Sequence, residues 1–369
     1  MVKLLDVARA AGVSRSTASN VFAHPERVKE ELRERVLAAA DEIGYGGPSP
    51  AGRLLRLGKV NAIGVTPPGA YGTKVAFSNP YLREFLCGVA TVCDERGASL
   101  TIISGIGPDK TSGIKNSLVD GFILHQIEDA ALLETRRRRL PFVLIDSQGD
   151  AKTSFVRIDD RGGAYMAAKH LTDLGHRRFA IFSVLRRDLA EVAASRVEPV
   201  FHGVSGPSHK LLRGFSMDDD RLAGYADALA EVGISIDDVP IVECAADSVT
   251  NATSGARVLF DRAPETTAVL AMTDVQALAV LEEARRRNVL VPEELSVIGF
   301  DDIAESRTAA PSLTTVVHPV VEKGRTAANI LFDDQTARQV TLPVHLAVRS
   351  STAVPRRTRI LGPGSPNRG

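Results

Sequence analysis

The sequence predicts an α/β protein in two parts: a small helical head at the N-terminus and a large two-lobed, doubly wound body. Three observations carry this reading. The chain has 369 residues, more than one compact core accommodates. Residues 1–46 hold three short segments with apolar stripes at helical spacing, punctuated by glycines. Beyond residue 59, short apolar runs alternate with amphipathic stretches, the pattern of parallel α/β layers. Composition agrees, with 44% hydrophobic and 24% charged residues. No apolar run approaches the roughly 18 residues of a membrane span.

The head comes first. Leu5, Ala8 and Ala11, with Leu4 and Val7 beside them, form one apolar helical face, and Gly12 ends it. Ser14 is placed to cap the next helix, "RSTASNVF", whose buried side is Ala18, Val21 and Phe22. A third stripe runs through Leu32, Val36, Ala39 or Ala40 and Ile43, and stops at Gly44. Two short helices joined by a glycine turn read as a helix-turn-helix. In that geometry the second helix enters the DNA major groove with its N-terminal residues foremost. Arg15, Ser16 and Thr17 then face bases and phosphates, and Asn20, one turn on, reaches toward an adenine edge. Formal net charge is zero, and residues 1–58 hold nine basic residues against seven acids. DNA contact must therefore come from where the charges sit. Five of those acids, Glu30, Glu31, Glu34, Asp41 and Glu42, fall in the third segment, away from the reading helix. The alternative is a helical cap with solvated polar residues.

The linker follows. "GYGGPSPAGRLLRLGK", residues 44–59, opens with glycine and proline and turns basic and leucine-rich. Leu54, Leu55 and Leu57 between arginines suit a short helix that orders on a minor groove and wedges a leucine between base steps.

The body supplies ten strand candidates: "VNAIGVT", "SLTIIS", "VDGFILH", "PFVLID", "SFVRID", "RFAIFS", "PIVECA", "TAVLAM", "LSVIGF" and "PVHLAV". Helices are expected over 81–95, 163–174, 221–232 and 274–288. Ligands of doubly wound sheets sit outside the carboxyl ends of the strands. Polar residues there are Asp146, Asp159, Asp160, Thr273, Asp274, Asp301 and Asp302, with Arg221 opening a helix. Carboxylates with one arginine suit a hydroxyl-rich ligand, which both donates and accepts. The bland reading is that strand-end aspartates cap the next helix, and Asp274 fits it best.

These residues resemble the lactose/galactose repressor (LacI/GalR) family of bacterial transcriptional regulators. The resemblance rests on "LLDVARAAGVSRSTASNVF", "RERVLAAADEIGY", "GRLLRLG", "RIDDRGGAYMAAKHLTDLGHRRFAIFS", "DRLAGYADAL", "AMTDVQALAVLEEARRRNVLVPEELSVIGFDDIAE" and "PSLTTVVHP", and covers nearly the whole chain. It implies a periplasmic-binding-protein-like body behind a DNA-binding head. It implies base reading by Arg15 and Ser16, phosphate positioning by Thr17 and Ser19, a hinge leucine at Leu55 and a backbone contact at Arg53. It implies a ligand cleft lined by Tyr81, Asp146, Ile158, Arg221, Thr273 and Asp301. The family more often has asparagine at Thr273, and arginine at Asn20. Segment 184–220 matches the family poorly and reads as a flap or a dimer contact.

The expected domains are a head, 1–46; a hinge linker, 47–59; a ligand-binding and dimerisation domain, 60–354; and a disordered basic tail, 355–369. The expected partners are double-stranded DNA with a pseudo-palindromic operator, a small sugar-like effector and a second copy of the chain, with no membrane. No cofactor, metal or catalytic residue is expected. "GIGPDKTSG" fails as a phosphate loop because Asp109 stands directly before Lys110. The eight histidines have no metal spacing, and His176 and His318 read as structural or surface residues. The three cysteines read as reduced and buried. Charges interrupt any signal-peptide core in "MVKLLDVARAAG", so a cytoplasmic location is expected. The rival reading is a solute-binding protein without DNA function, since one fold serves both roles.

Overall fold

Small residues at every third or fourth position and glycine stops build the head. The computed structural model describes residues 2–47, 58–68, 72–105, 109, 111–147, 149–184, 198–203, 216–244, 249–333 and 337–356. The chain divides into two units, Met1–Asn61 and Ala62–Gly369. In the first, helices α1 (Leu4–Ala10), α2 (Arg15–Ala23) and α3 (Glu30–Glu42) enclose Val7, Ala8, Ala11, Ala18, Val21, Val36, Ala39 and Ala40. Gly12 takes φ +65°, and the amides of Gly12 and Val13 bond back to the carbonyls of Arg9 and Ala8. That left-handed stop is open to glycine at little cost and turns the chain sharply into α2. Leu5 does not belong to the buried face: it is 43% exposed, and the stripe runs through Leu4, Val7, Ala8 and Ala11 instead. The i, i+3, i+4, i+7 series describes this helix better than steps of three.

The second unit contains two sheets. Strands β1 (Ala62–Thr66), β2 (Ser99–Ile102), β3 (Gly121–His125), β4 (Phe142–Ile145) and β5 (Ser154–Ile158) belong to the first. Strands β6 (Phe179–Val184), β7 (Val200–His202), β8 (Ile241–Cys244), β9 (Ala268–Ala271), β10 (Ser296–Asp301) and β11 (Thr314–Val317) belong to the second. The chain then returns to the first sheet with β12 (Gln339–Leu342) and ends in the second with β13 (His345–Ala347). The first sheet is parallel in the order β12-β5-β4-β3-β1-β2. The second, β13-β11-β10-β9-β6-β8-β7, is parallel except at its two edge strands. The chain thus crosses between the lobes three times: after Ile158, after Val317 and after Leu342.

Helices cover the sheets, as their buried stripes require. They are α4 (Thr73–Ser78), α5 (Pro80–Arg96), α6 (Ser112–Asn116), α7 (Asp129–Arg138), α8 (Asp160–Asp173), α9 (Ser216–Ala230), α10 (Val249–Arg262), α11 (Asp274–Arg286), α12 (Ala304–Thr308) and α13 (Val320–Phe332). Helices α5 and α13 pack on the first sheet around Phe85, Val89, Ile123 and Ala327. In the second lobe α8 and α9 cover one face, around Leu171, Tyr225 and Phe300, while α10 and α11 cover the other, around Phe182 and Val280. Helices on both faces make this sheet doubly wound.

All ten expected strands are present. Strands β7, β11 and β12 were not anticipated as strands. Cys93 and Cys244 are buried, whereas Cys87 is exposed on α5, against the expectation that all three are buried; all three are free thiols. Among the described residues no helix is long and apolar enough to cross a membrane.

Candidate functional site

In the head, Ser14 caps α2: its hydroxyl accepts from the Thr17 amide at 3.0 Å and contacts the Ser16 and Thr17 hydroxyls at 2.7 and 2.8 Å. This orders the first turn of the proposed reading helix. Arg15, Ser16 and Asn20 are exposed there, and Thr17 and Ser19 are half-buried. Arg53 and Leu55 of the linker lie outside the described residues, as do 185–197 and 204–215 of the poorly matched segment.

In the body, the carboxyl ends of the parallel strands gather an almost fully buried polar cluster. On the first lobe, Asp146 follows β4, His125 ends β3 and Tyr81 stands in the first turn of α5. Lys323, on α13, donates to both Asp146 oxygens at 2.9 Å and to the Tyr81 hydroxyl at 3.2 Å. The Tyr81 hydroxyl also meets His125 Nε2 at 2.9 Å and Asp146 Oδ2 at 3.2 Å. Lys323 is 1% exposed and Asp146 4%, so neither charge is left to water. Burial opposes ionisation of Asp146, but Lys323 and the neighbouring histidines outweigh it and hold the carboxyl at about 2. Burial pushes His125 down to about 4.

On the second lobe, Arg221 is the hub. Its Nε donates to Asp160 Oδ1 at 2.8 Å, another guanidinium nitrogen donates to the Met272 carbonyl, and Nη2 lies 3.7 Å from Asp301 Oδ1. The guanidinium lies over the Phe300 ring, 3.6 Å from its centroid. Burial pushes Asp160 and Asp301 up to about 7, against the pull of Arg221. His318, at the crossover after β11, meets Asp301 Oδ1 through Nε2 at 3.3 Å and packs beside Tyr81 and Phe300. Burial keeps it well below the usual histidine range. It is therefore neutral and buried within the cluster, which excludes a surface role and leaves the structural one. His176 is structural as expected: its ring bonds Thr267, Ser296 and the Ala353 carbonyl.

Asp146, Asp301 and Asp302 take φ of +50°, +116° and +58°. Such backbone is unfavourable for these residues and gathers at binding sites. Thr273 is half-buried and caps α11, accepting from the Gln276 amide at 3.3 Å. The expected cap role of Asp274 thus belongs to its neighbour. Asp274 instead accepts from Ser306 and Thr315 hydroxyls at 2.6 Å and the Ile303 amide at 3.0 Å, tying α11 to α12 and β11. Burial and nearby Asp301 push it up to about 8. Ile158 is buried in the second lobe's apolar core, immediately before the first crossover.

The structure therefore brings together Tyr81, Asp146, Arg221 and Asp301, and adds Asp160, His125, His318 and Lys323. Lys323 had a legible signal: it falls on the buried stripe of Val320, Gly324, Ala327, Ala328 and Leu331, where lysine is foreign. His125 satisfies the same strand-end rule that selected Asp146. Among the described residues no group of three or more His, Cys, Asp and Glu side chains could hold a metal ion.

Comparison with known proteins identifies two regions. Residues 3–47 match the family described as bacterial regulatory proteins, lacI family, and residues 168–352 match a periplasmic binding protein-like domain. An HTH-type transcriptional regulator of Mycobacterium tuberculosis is 33% identical over 340 residues, 89% of this chain and 90% of that protein. The structure of the transcriptional regulator CelR in complex with cellobiose is 25% identical with a TM-score of 0.65, covering 95% of this chain and all of that one (100%). The lac repressor dimer bound to operator and the anti-inducer ONPF shares the fold, with a TM-score of 0.73 at 22% identity over 95% of this chain and 99% of that one.

Proposed function

The chain belongs to the lacI family of bacterial regulatory proteins, DNA-binding transcriptional regulators, and we propose how its own residues carry that activity. Arg15 and Ser16 read base edges, Thr17 and Ser19 position phosphates, and Asn20 reaches an adenine. Arg53 and Leu55 of a hinge linker, 47–59, grip the minor groove. Two copies engage a pseudo-palindromic operator, because a two-fold dimer presents its reading helices to two related half-sites. A small hydroxyl-rich ligand enters the cleft and is held by Tyr81, Asp146, Arg221, Thr273 and Asp301, with Ile158 as apolar wall. The protein acts as a cytoplasmic regulator and not as an enzyme.

The observation that carries this reading is the convergence of both lobes' strand ends on one buried set of hydrogen-bonding charges, centred on Arg221. The cellobiose complex of a similar regulator supports a hydroxyl-rich ligand. Three chain crossings join the lobes, so a ligand that touches both selects one arrangement of them. It shifts operator affinity only by its differential affinity for the two arrangements. The test is operator binding by fluorescence anisotropy, with and without ligands drawn from a sugar panel. A ligand should change the operator Kd at least tenfold for the intact chain and not for Arg221→Lys, which keeps the charge but loses the planar fork. An equal response in both proteins contradicts the assignment.

A further inference from the structure

The polar wall of the cleft is unbalanced. Among the described residues it holds three carboxylates, Asp146, Asp160 and Asp301, and two fixed cations, Lys323 and Arg221, all of them at most 7% exposed. Both cations are already engaged. Lys323 has three N–H donors and spends them on the two Asp146 oxygens and the Tyr81 hydroxyl. Arg221 donates to Asp160 and the Met272 carbonyl, and its Nη2 lies 3.7 Å from Asp301. Burial, which the one guanidinium shared between them does not offset, pushes Asp160 and Asp301 up to about 7.

A second, independent observation points to a missing donor. Two histidine rings stand inside this cluster, 2% and 4% exposed at His125 and His318. The Nδ1 of each has no hydrogen-bond partner among the described residues. At His318, Nε2 faces an Asp301 carboxylate oxygen at 3.3 Å, and in the tautomer that donates to it Nδ1 is a lone-pair acceptor. The unfilled capacity of the cleft is therefore to accept hydrogen bonds and to receive positive charge.

We propose that the ligand of this cleft carries a cationic amine beside its hydroxyl groups, as an amino sugar or aminocyclitol does; this rests on the cleft being the ligand site. An ammonium group supplies three donors and one positive charge where carboxylates are in surplus. A phosphate or carboxylate on the ligand meets that surplus of like charge. A neutral sugar supplies donors but leaves the charge unbalanced.

The experiment is calorimetric titration of the full chain with matched probes at pH 7: glucose, galactose and mannose; their 2-amino derivatives; and their 6-phosphates. The result expected is that at least one amine binds tenfold or more tighter than its neutral partner and that no phosphate binds. In Asp160→Asn, which removes one surplus carboxylate at constant shape, that preference should shrink at least tenfold. A neutral sugar binding as tightly as its amine, binding by any phosphate, no binding by any amine, or an unchanged preference in Asp160→Asn overturns the proposal. The broader reading fails separately: it falls only if a ligand that alters operator binding acts equally on Arg221→Lys.

Discussion

Lys323 shows what one residue does to its surroundings. Its ammonium is buried against Asp146, so removing it strands a carboxylate in a low-dielectric site. Lys323→Met should destabilise the body by about 3–5 kcal/mol, the usual loss when a buried pair is broken. Lys323→Met combined with Asp146→Asn should recover most of it. Urea unfolding of the two single variants and the double variant checks this, and simple additivity would contradict a direct pairing. Charge also sets a pH dependence. Asp160 and Asp301, at about 7, and Asp274, at about 8, bind protons in the folded chain that the unfolded chain has already released above about 4. A raised carboxyl loses its stabilising contribution as pH rises toward the folded value. The opposing groups, His125 and His318, are depressed and so act only below their ordinary value of 6.5. Between pH 6.5 and 8 the body should therefore lose stability, and Asp274→Asn should flatten the decline. Stability that rises across this interval would refute the assignment. At this scale Asp146 and Asp301 were legible because strand ends are where ligands sit, and Arg221 as a lone guanidinium among those carboxylates. Lys323 and His125 carried signals too, a lysine on a buried helical stripe and a histidine at a strand end, but only three-dimensional convergence assigns them to the same cluster.

At the scale of elements, two helices owe their closeness to glycine. A Cβ on Gly88 of α5 would overlap the Val321 carbonyl oxygen of α13, and one on Gly324 of α13 would overlap the Phe85 carbonyl oxygen. This mutual contact lets Lys323, next to Gly324, reach Tyr81 on the facing helix. Gly88→Ala or Gly324→Ala should lower stability by about 1–3 kcal/mol, as overpacking does. Each should also weaken ligand binding, read by the same calorimetry; an unaltered melting temperature would show that the helices can separate freely. In the head, Ser14→Ala should cost about 1 kcal/mol through loss of the α2 cap. Thermal unfolding of the head signal tests it, and no shift would contradict the capping geometry. The three head helices, the body helices α5, α8, α9 and α11, and ten of the strands were legible from alternating apolar runs. The other three strands were not, for identifiable reasons. Strand β11, "TTVV", is four residues long and half threonine, and β12, "QVTL", is a half-exposed edge strand. Strand β7, "VFH", is three residues at the other sheet's edge, in a segment without a family pattern.

At the scale of the whole molecule, the order of strands matters more than any one of them. Because the chain crosses between lobes after Ile158, Val317 and Leu342, each lobe is built from separated stretches of sequence. His318 sits at one crossing and touches Asp301 and Tyr81, so the buried polar cluster and that crossing share a residue. A ligand bound at the cluster, as proposed, would bias lobe arrangement directly. The two-lobed architecture was legible from the alternation of strands and helices. The second and third crossings were not, since they depend on two of the unanticipated strands, β11 and β12.

The central claim is that this chain reads DNA by sequence with its N-terminal helices, in a two-fold manner. The most direct test is selection of bound duplexes from a random pool by the purified full chain at one stated salt concentration near physiological, since phosphate binding dominates at low salt. The account predicts a two-fold symmetric consensus, and for Arg15→Ala a relaxed preference at one position in each half-site, about 1–3 kcal/mol in discrimination. No enriched sequence, or an Arg15→Ala variant that loses affinity equally for all sequences, would contradict it.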